Sequence, residues 1–451
     1  MMKEFLLSEA VAATGGVYHG EPSALKKSVR GVVIDNRKVK RDFLFVPIKG
    51  DRFDGHDFIT AAMDAGALCC ITEHALDTAK PYITVENSLA AFQKLAEFYK
   101  GLFNIQTIGI TGSAGKTTTK EMISSVLSQK FNVLKSEGNL NNQTGVPLTV
   151  FRLEEQNDVA VVEMGTNHFG EIRNLAKIAR PNLCFITNIG EAHIEHLGSK
   201  EGILRAKTEM LEFMKTGGSV FVNGDDPYLK TLKSTRKDVL TFGLSAENDI
   251  YAKAVVSNGL MGTDFTACTD DAEFAVHVPS PGVHMVYNAL AAIAAGRALG
   301  MTAEEITAGI AEYLPIGGRM CIEKKHGITV LNDVYNANPD SMRAALDVLG
   351  AAEGDRVCIL GDMLELGENA EQYHKQIGEY AAKKADKVLC VGALAKYIYE
   401  GAHNAGANAA WFAAQGELLC ALPKHIKTGD TVLIKGSRGM NLEHTVDFLL
   451  K

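Results

Sequence analysis

Gly109-Ile110-Thr111-Gly112-Ser113-Ala114-Gly115-Lys116-Thr117-Thr118-Thr119 joins an apolar run, residues 104–111, to a helical pattern over 116–129. Strand, glycine-rich turn and helix in that order are the setting of a phosphate-binding loop. Glycines let backbone N–H groups curl around an anion, and the helix N-terminus adds partial positive charge. Lys116 would reach terminal phosphates, and the Thr117 hydroxyl would ligate Mg²⁺. The spacing departs from the common pattern once: position 110, where a leading glycine is usual, holds Ile, and Gly112 stands closer to Gly115.

Outward from this loop, apolar strands at 158–163, 183–188, 219–223 and 239–242 are separated by helical segments such as 172–179 and 200–213. That alternation predicts a parallel sheet covered on both faces. Asn258-Gly259, within 249–278, predicts an antiparallel hairpin extension. An Ala-rich helix over 287–299 is closed by Gly300. Pro315 and the pair Gly317-Gly318 mark a linker over 313–319. Beyond it a second rhythm sets strands at 329–333, 356–360, 387–391 and 431–434 among helices at 341–349, 372–384 and 393–403. Residues 1–85 mix short strands (31–35, 42–47, 67–72) and a short helix (59–67) without a clear βαβ rhythm, and an amphipathic helix follows at 89–99. The expectation is an α/β protein of three domains. These are a small N-terminal α/β domain (1–85), a central P-loop-type domain with a mostly parallel sheet (86–314) and a C-terminal Rossmann-like α/β domain (315–451). A length of 451 residues suits that division at roughly 150 per domain.

Composition narrows the function classes. With 46% hydrophobic and 22% charged residues, the chain has the balance of a soluble protein with a full core. A formal charge of −8 argues against a nucleic-acid partner but leaves small phosphorylated ligands open. Ser8 and Glu9 interrupt the opening apolar stretch, so no secretory signal is expected. No apolar run approaches the ~20 residues of a membrane span, and no membrane insertion is expected. The eight cysteines lack CxxC spacing; Cys184, Cys358 and Cys390 lie in strand-like runs. Reduced core thiols in a cytoplasmic protein are the expectation.

A nucleotide site needs a carboxylate near its metal. Glu163 ends an apolar strand at the carboxyl edge of the sheet, where open α/β folds bind ligands. The next strand runs into Asn188-Ile189-Gly190-Glu191-Ala192-His193-Ile194-Glu195-His196-Leu197-Gly198. No Cys or third His stands at zinc-ligand spacing. One histidine touching a Mg²⁺-bound phosphate fits better, and spacing leaves His193 and His196 both open. Lys207 reads, unaided, as an exposed helix residue.

These motifs resemble the Mur ligases, ATP-dependent amide-forming enzymes of peptidoglycan synthesis, over essentially the whole chain. The phosphate loop from Gly112 through Ser113, Ala114, Gly115, Lys116 and Thr117 to Thr118 has the family's variant spacing. Glu163-Met164-Gly165 is similar to its acidic metal-ligand segment, and Ala192-His193 with Gly198-Ser199 to its histidine segment, which selects His193. Ala206-Lys207-Thr208-Glu209 resembles the segment whose lysine is carbamylated, an anionic oxygen ligand for a second Mg²⁺. Asn139 to Thr149 resembles the substrate loop, with Asn142, Gln143 and Thr144 as contacts. Tyr287-Asn288 is similar to the adenine segment, although Met285 stands where the family usually has Asn. Arg319 falls where the family places an arginine that reaches the nucleotide phosphates.

The string Asp333-Val334-Tyr335-Asn336-Ala337-Asn338-Pro339 resembles the members that add D-alanyl-D-alanine to UDP-N-acetylmuramoyl-tripeptide. The resemblance implies nucleotide contacts from Asp333, Tyr335 and Asn336, and substrate contacts from Asn338, Lys435 and Ser437. The segment 360–367 points the same way. Near the start, Asp35, Arg37, Lys49, Arg52, Asp54 and His56 resemble UDP-sugar contacts, with Asn36 replacing the usual Ser or Thr. The implied chemistry uses ATP and two Mg²⁺ ions to convert a carboxylate into an acyl phosphate. Lys116, Glu163, His193, Lys207 and Arg319 would be the catalytic residues, and a monomer is expected. The alternatives are another Mur or folylpolyglutamate-type ligase and, in a different class, a nucleotide-gated switch.

Overall fold

In the computed structural model, which describes residues 2–50 and 53–451, the strand–helix alternation resolves into sheets of five, nine and six strands beside a two-stranded ribbon. Arg52 lies outside the described residues. The nine-stranded sheet runs Glu273–Val278, Thr263–Cys268, Ile250–Ser257, Val239–Gly243, Ser219–Asn223, Leu183–Ile186, Gln106–Thr111, Val159–Glu163, Val133–Lys135. All neighbours are parallel except the last two pairings at the Glu273–Val278 end, as the Asn258-Gly259 turn implied. Gln106–Thr111 is flanked on one side by Val159–Glu163 and on the other by Leu183–Ile186. The connections diverge there, so the loop after Thr111 opens at a topological switch point.

The six-stranded sheet runs Cys321–Lys325, Ile328–Asn332, Thr431–Lys435, Arg356–Gly361, Lys387–Val391, Ala409–Phe412, with only the first pairing antiparallel. The strand Cys321–Lys325 escaped the sequence reading because an edge strand written Cys-Ile-Glu-Lys-Lys has no apolar run. Residues 1–85 contain more order than their rhythm suggested. Gly31–Val33, Phe43–Phe45, Cys69–Thr72 and Tyr82–Thr84 pair in parallel, with Val17–His19 antiparallel at the edge. Strands of three or four residues joined by 3₁₀ turns are too short to show a period. The predicted helix 200–213 changes character partway, being α over Lys200–Thr208 and 3₁₀ over Glu209–Phe213.

Helix Ser88–Gly101 ties the first sheet to the second. Asn87 caps it by accepting the Ala90 N–H at 2.8 Å. Its Tyr99 is fully buried among the rings of Phe5, Phe103 and Phe151. The Tyr99 hydroxyl donates to the Leu153 carbonyl at 2.8 Å and accepts the Lys3 N–H at 2.8 Å. Burial pushes this phenol up to about 12. One apolar cluster runs from Phe5 and Val29 through Phe92 and Tyr99 to Leu153, Ile172 and Val220. Tyr99→Phe keeps the ring packing but strands the Leu153 carbonyl and the Lys3 amide. Urea unfolding should show a loss of about 1–2 kcal/mol; an unchanged midpoint would remove the hydroxyl from this joint.

Candidate active site

The phosphate loop is shaped by its neighbours. Gly112 has φ +151°, and a Cβ there would lie 1.8 Å from the Thr187 Oγ1, so only glycine fits. Asn188, after the adjacent strand, accepts the Ser113 N–H through its carbonyl and the Ala114 N–H through its side chain, at 3.1 and 2.8 Å. Those two amides are therefore engaged within the protein. An anion would instead meet the open N–H groups of the first turn of helix Lys116–Leu127. Lys116 donates to the Gly112 carbonyl at 2.8 Å. Its ammonium is held below the ordinary lysine range by burial and by the Arg319 charge, although Glu163 opposes the shift. The Ser113 hydroxyl is buried and has no hydrogen-bond partner.

Glu163, 1% exposed, is the convergence point. The Thr117 hydroxyl donates to its Oε2 at 2.9 Å, and the Asn141 amide donates to its Oε1 at 2.8 Å. The fully buried Lys120 ammonium lies 3.8 Å from Oε2 while donating to the Ser136 carbonyl at 2.7 Å and pairing with Glu121 at 2.9 Å. Asn141 and Lys120 were missed in the sequence. Asn141 lies inside the Asn139–Thr149 substrate loop, one residue before the contacts assigned there, and Lys120 sits one helical turn beyond Lys116. Thr117 and Glu163 are hard oxygen donors side by side, the donor set of a Mg²⁺ that takes its remaining ligands from phosphates and water. No group of three or more His, Cys, Asp or Glu side chains suited to a metal occurs among the described residues. A cation here would thus draw on a bound nucleotide.

A cavity of about 910 Å³ opens over this point between the nine- and six-stranded sheets. It brings together Ser113 to Thr118, Asn142, Gln143, Thr144, Glu163, His193, Asn288, Arg319, Asp333, Tyr335, Asn336, Asn338 and Lys435 among the sequence candidates. The Arg319 guanidinium stacks over the Tyr335 ring, 3.7 Å from its centre. Asn288, 7% exposed, accepts the Thr119 hydroxyl at 2.9 Å. Asn142 caps the turn at Gly145, and Asn338 caps helix Pro339–Gly350. Lys435 is buried against Asp333 at 2.6 Å and donates to the Asn336 carbonyl at 2.9 Å. Asp340 also lines the cavity; burial and the neighbouring Glu191 push its carboxyl up to about 6.

Some candidates fall outside the cavity lining. Ser437 accepts the Leu364 N–H at 2.9 Å behind it. Asp35 grips Arg37 through two hydrogen bonds of 2.9 and 2.8 Å. Asp54 and His56 form a pair at 2.6 Å, with the Glu73 N–H donating to the His56 Nε2 at 3.3 Å, so the ring proton sits on Nδ1. With Lys49 these belong to the five-stranded sheet's end of the molecule. His196 stacks on His168, whereas His193 faces the cleft at φ +60°. Lys207 corrects the unaided reading: it is 2% exposed, not on a solvated face. Burial, and then the Lys116 charge, hold its ammonium well below the ordinary lysine range.

Comparison with known proteins agrees along the chain. Residues 110–296 match the Mur ligase middle domain, 318–438 the Mur ligase glutamate ligase domain and 28–103 the Mur ligase family catalytic domain. The UDP-N-acetylmuramoyl-tripeptide–D-alanyl-D-alanine ligase of Bacillus subtilis (strain 168) is 39% identical over 432 residues, 94% of this chain and 93% of the relative. A crystal structure of MurF from Acinetobacter baumannii matches with a TM-score of 0.93 at 31% identity, covering 100% of both chains. MurF ligase from Thermotoga maritima in complex with ADP matches at 0.84 and 29% identity, over 93% of this chain and 97% of the other. Full-length agreement in sequence and in fold leaves one conclusion: the chain belongs to the Mur ligase family.

Proposed function

We propose that this chain is an ATP-dependent amide ligase that joins D-alanyl-D-alanine to UDP-N-acetylmuramoyl-tripeptide. The observation that carries the reading is the cavity itself, where the phosphate loop, Glu163 and Arg319 meet Tyr335, Asn336 and Asn338 from the other sheet. The relatives named above favour it over a folylpolyglutamate-type ligase or a nucleotide-gated switch. The ligands divide among the domains: 1–85 takes the UDP-sugar, 86–314 ATP and the tripeptide carboxylate, and 315–451 the nucleotide on closure and D-alanyl-D-alanine. No helix among the described residues is long and apolar enough to cross a membrane.

A carboxylate is a poor electrophile, so one of its oxygens first attacks the γ-phosphorus of ATP and ADP leaves. The dipeptide amine then attacks the acyl carbon; phosphate leaves and the nitrogen loses a proton. Lys116 and Arg319 neutralise charge on the transferring group, and the helix N-terminus adds its open N–H groups. Thr117 and Glu163 would hold one Mg²⁺, and His193 with a carbamylated Lys207 a second; bound there, these ions would supply Lewis-acid charge to the phosphoryl oxygens. Asn142, Gln143 and Thr144 face the tripeptide, Asn288 and Asp333 the nucleoside, and Asn338 with Lys435 and Ser437 the incoming dipeptide. Asp35, Arg37, Lys49, Arg52, Asp54 and His56 contact the UDP-sugar.

The environment of Lys207 suits carbamylation. A buried amine whose protonation is disfavoured offers its lone pair to CO₂; an N–C bond forms and a proton leaves the nitrogen. The resulting carbamate anion would also balance Lys116.

Phosphate release should require ATP, Mg²⁺, UDP-N-acetylmuramoyl-tripeptide and D-alanyl-D-alanine together, and Lys116→Ala should abolish it. Release independent of either co-substrate would instead favour one of the alternatives. Lys207→Ala should be inactive and partly restored by short carboxylates; full activity without them would remove Lys207 from the site. Stability offers a separate readout. Because the folded-state value is depressed, the unfolded chain binds an extra proton below the ordinary lysine value, and stability falls as pH drops through that window. In CO₂-stripped buffer at pH 7, Lys207→Met should therefore melt a few degrees higher than the parent, with a flatter pH dependence. A lower melting temperature would show that the buried amine is not a destabilising element.

A further inference from the structure

His193 and Glu365 meet across the two large sheets. His193 follows the strand Leu183–Ile186 of the nine-stranded sheet, and Glu365 follows Arg356–Gly361 of the six-stranded sheet. The His193 Nδ1 lies 2.7 Å from the Glu365 Oε2, an ion-pair contact in which the N–H direction is out of line with the carboxylate, so that Nδ1 has no hydrogen-bond partner as the ring stands. Both residues have left-handed backbones, φ +60° and +62°, which cost free energy for any residue with a Cβ. Two strained residues held against each other mark a contact that the surrounding packing imposes.

The loop carrying Glu365 is pinned from its own side. The Met363 N–H donates to the His374 Nε2 at 2.9 Å, and the Leu364 N–H to the Ser437 Oγ at 2.9 Å. Asp362 accepts the Ala395 N–H at 2.6 Å. On the opposite side, the His193 carbonyl accepts the N–H groups of His196 and Leu197, each at 3.1 Å. Gly367 seats against Glu195, where an added Cβ would stand 3.6 Å from the Glu195 Cα. The carboxylate thus arrives on a rigid arm at a histidine fixed by its own turn.

We propose that Glu365 is a positioning residue: with a turn of the His193 ring it takes the Nδ1–H from the other domain and leaves Nε2 as the ring's lone-pair donor for a divalent cation. Histidines that ligate metals usually donate their other N–H to a carboxylate or carbonyl, which fixes tautomer and ring orientation. Here that partner is supplied only when the two domains are closed. Domain closure and cation binding then strengthen each other by one common factor. The inference rests on the reading of His193 as a metal ligand.

The test uses the full chain, saturated with a non-hydrolysable ATP analogue, and Mn²⁺ as the probe. Mn²⁺ affinity is read by electron paramagnetic resonance for the parent, Glu365→Ala, Glu365→Gln and His193→Ala. Spin labels on the central and C-terminal domains report closure, and ¹⁵N-histidine spectra report the His193 tautomer. Glu365→Ala should weaken Mn²⁺ binding about 10- to 100-fold, lose the Nδ1–H tautomer and lose the Mn²⁺-dependent shift toward the closed distance. Glu365→Gln should restore most of each, because its amide carbonyl still accepts the proton; the exposed position makes both variants tolerable to the fold. If His193→Ala weakens Mn²⁺ binding but Glu365→Ala does not, the positioning role is overturned while the metal assignment stands. If neither variant changes Mn²⁺ binding, the metal assignment of His193 fails and takes the inference with it.

Discussion

A carboxylate almost wholly removed from water at the end of Val159–Glu163 has to be answered by donors, because a buried unpaired charge costs several kcal/mol. Glu163 is answered from three directions: Thr117 from the phosphate-loop helix, Asn141 from the loop after Val133–Lys135, and the Lys120 ammonium one turn further along. These segments cannot shift independently without leaving the carboxylate short of a partner. The cleft floor is thereby organised before any ligand arrives, and preorganised polar groups are what stabilise charge in a transition state.

The opposite wall belongs to another sheet. Arg319 reaches the cleft immediately after the linker and is held flat on Tyr335, while Lys435 is locked to Asp333. Asp340 meets Glu191, which pairs with Lys200 at 2.9 Å, so the two walls also touch through carboxyl groups. Chemistry that needs both walls depends on the angle between them. A cleft built this way can exclude water when shut, which protects an acyl phosphate from hydrolysis.

How far this was legible in the sequence follows from where the information sits. The phosphate loop is contiguous, and its strand, turn and helix announce themselves; Glu163 is readable because it ends an apolar run. Lys207 was legible in principle and was passed over. Gly202, Ile203, Ala206 and Lys207 form the buried face of helix Lys200–Thr208, a 3.6-residue spacing that places the lysine among apolar neighbours. Asn141 could not be told from Asn142 and Gln143, because a loop's local turn decides which amide points inward. Asn338 and Asn142 show the converse, since their side chains cap turns that their neighbours need. Glu365 was beyond reach: its partner lies in a different sheet, and no periodicity encodes a meeting between domains.

The electrostatics of the cleft run against those of the chain as a whole. The formal charge is −8, yet Lys116 and Arg319 line the cleft with Lys207 buried beside Lys116, closely enough that Arg319 depresses the protonation of Lys116, and Lys116 that of Lys207. Like charges forced together are relieved by an anion, so a polyphosphate gains in this cleft what the lysines lose without it. The repulsion of the distant carboxylates reaches little further than the ~8 Å screening length of physiological salt. What a nucleotide meets at contact range is decided by Lys116, Arg319 and the open N–H groups of helix Lys116–Leu127, not by the net charge. The same crowding explains why carbamylation would suit Lys207. Converting that amine, whose protonation Lys116 already disfavours, into an anion would set an opposite charge beside Lys116 and would add an oxygen ligand for Mg²⁺ in the same step.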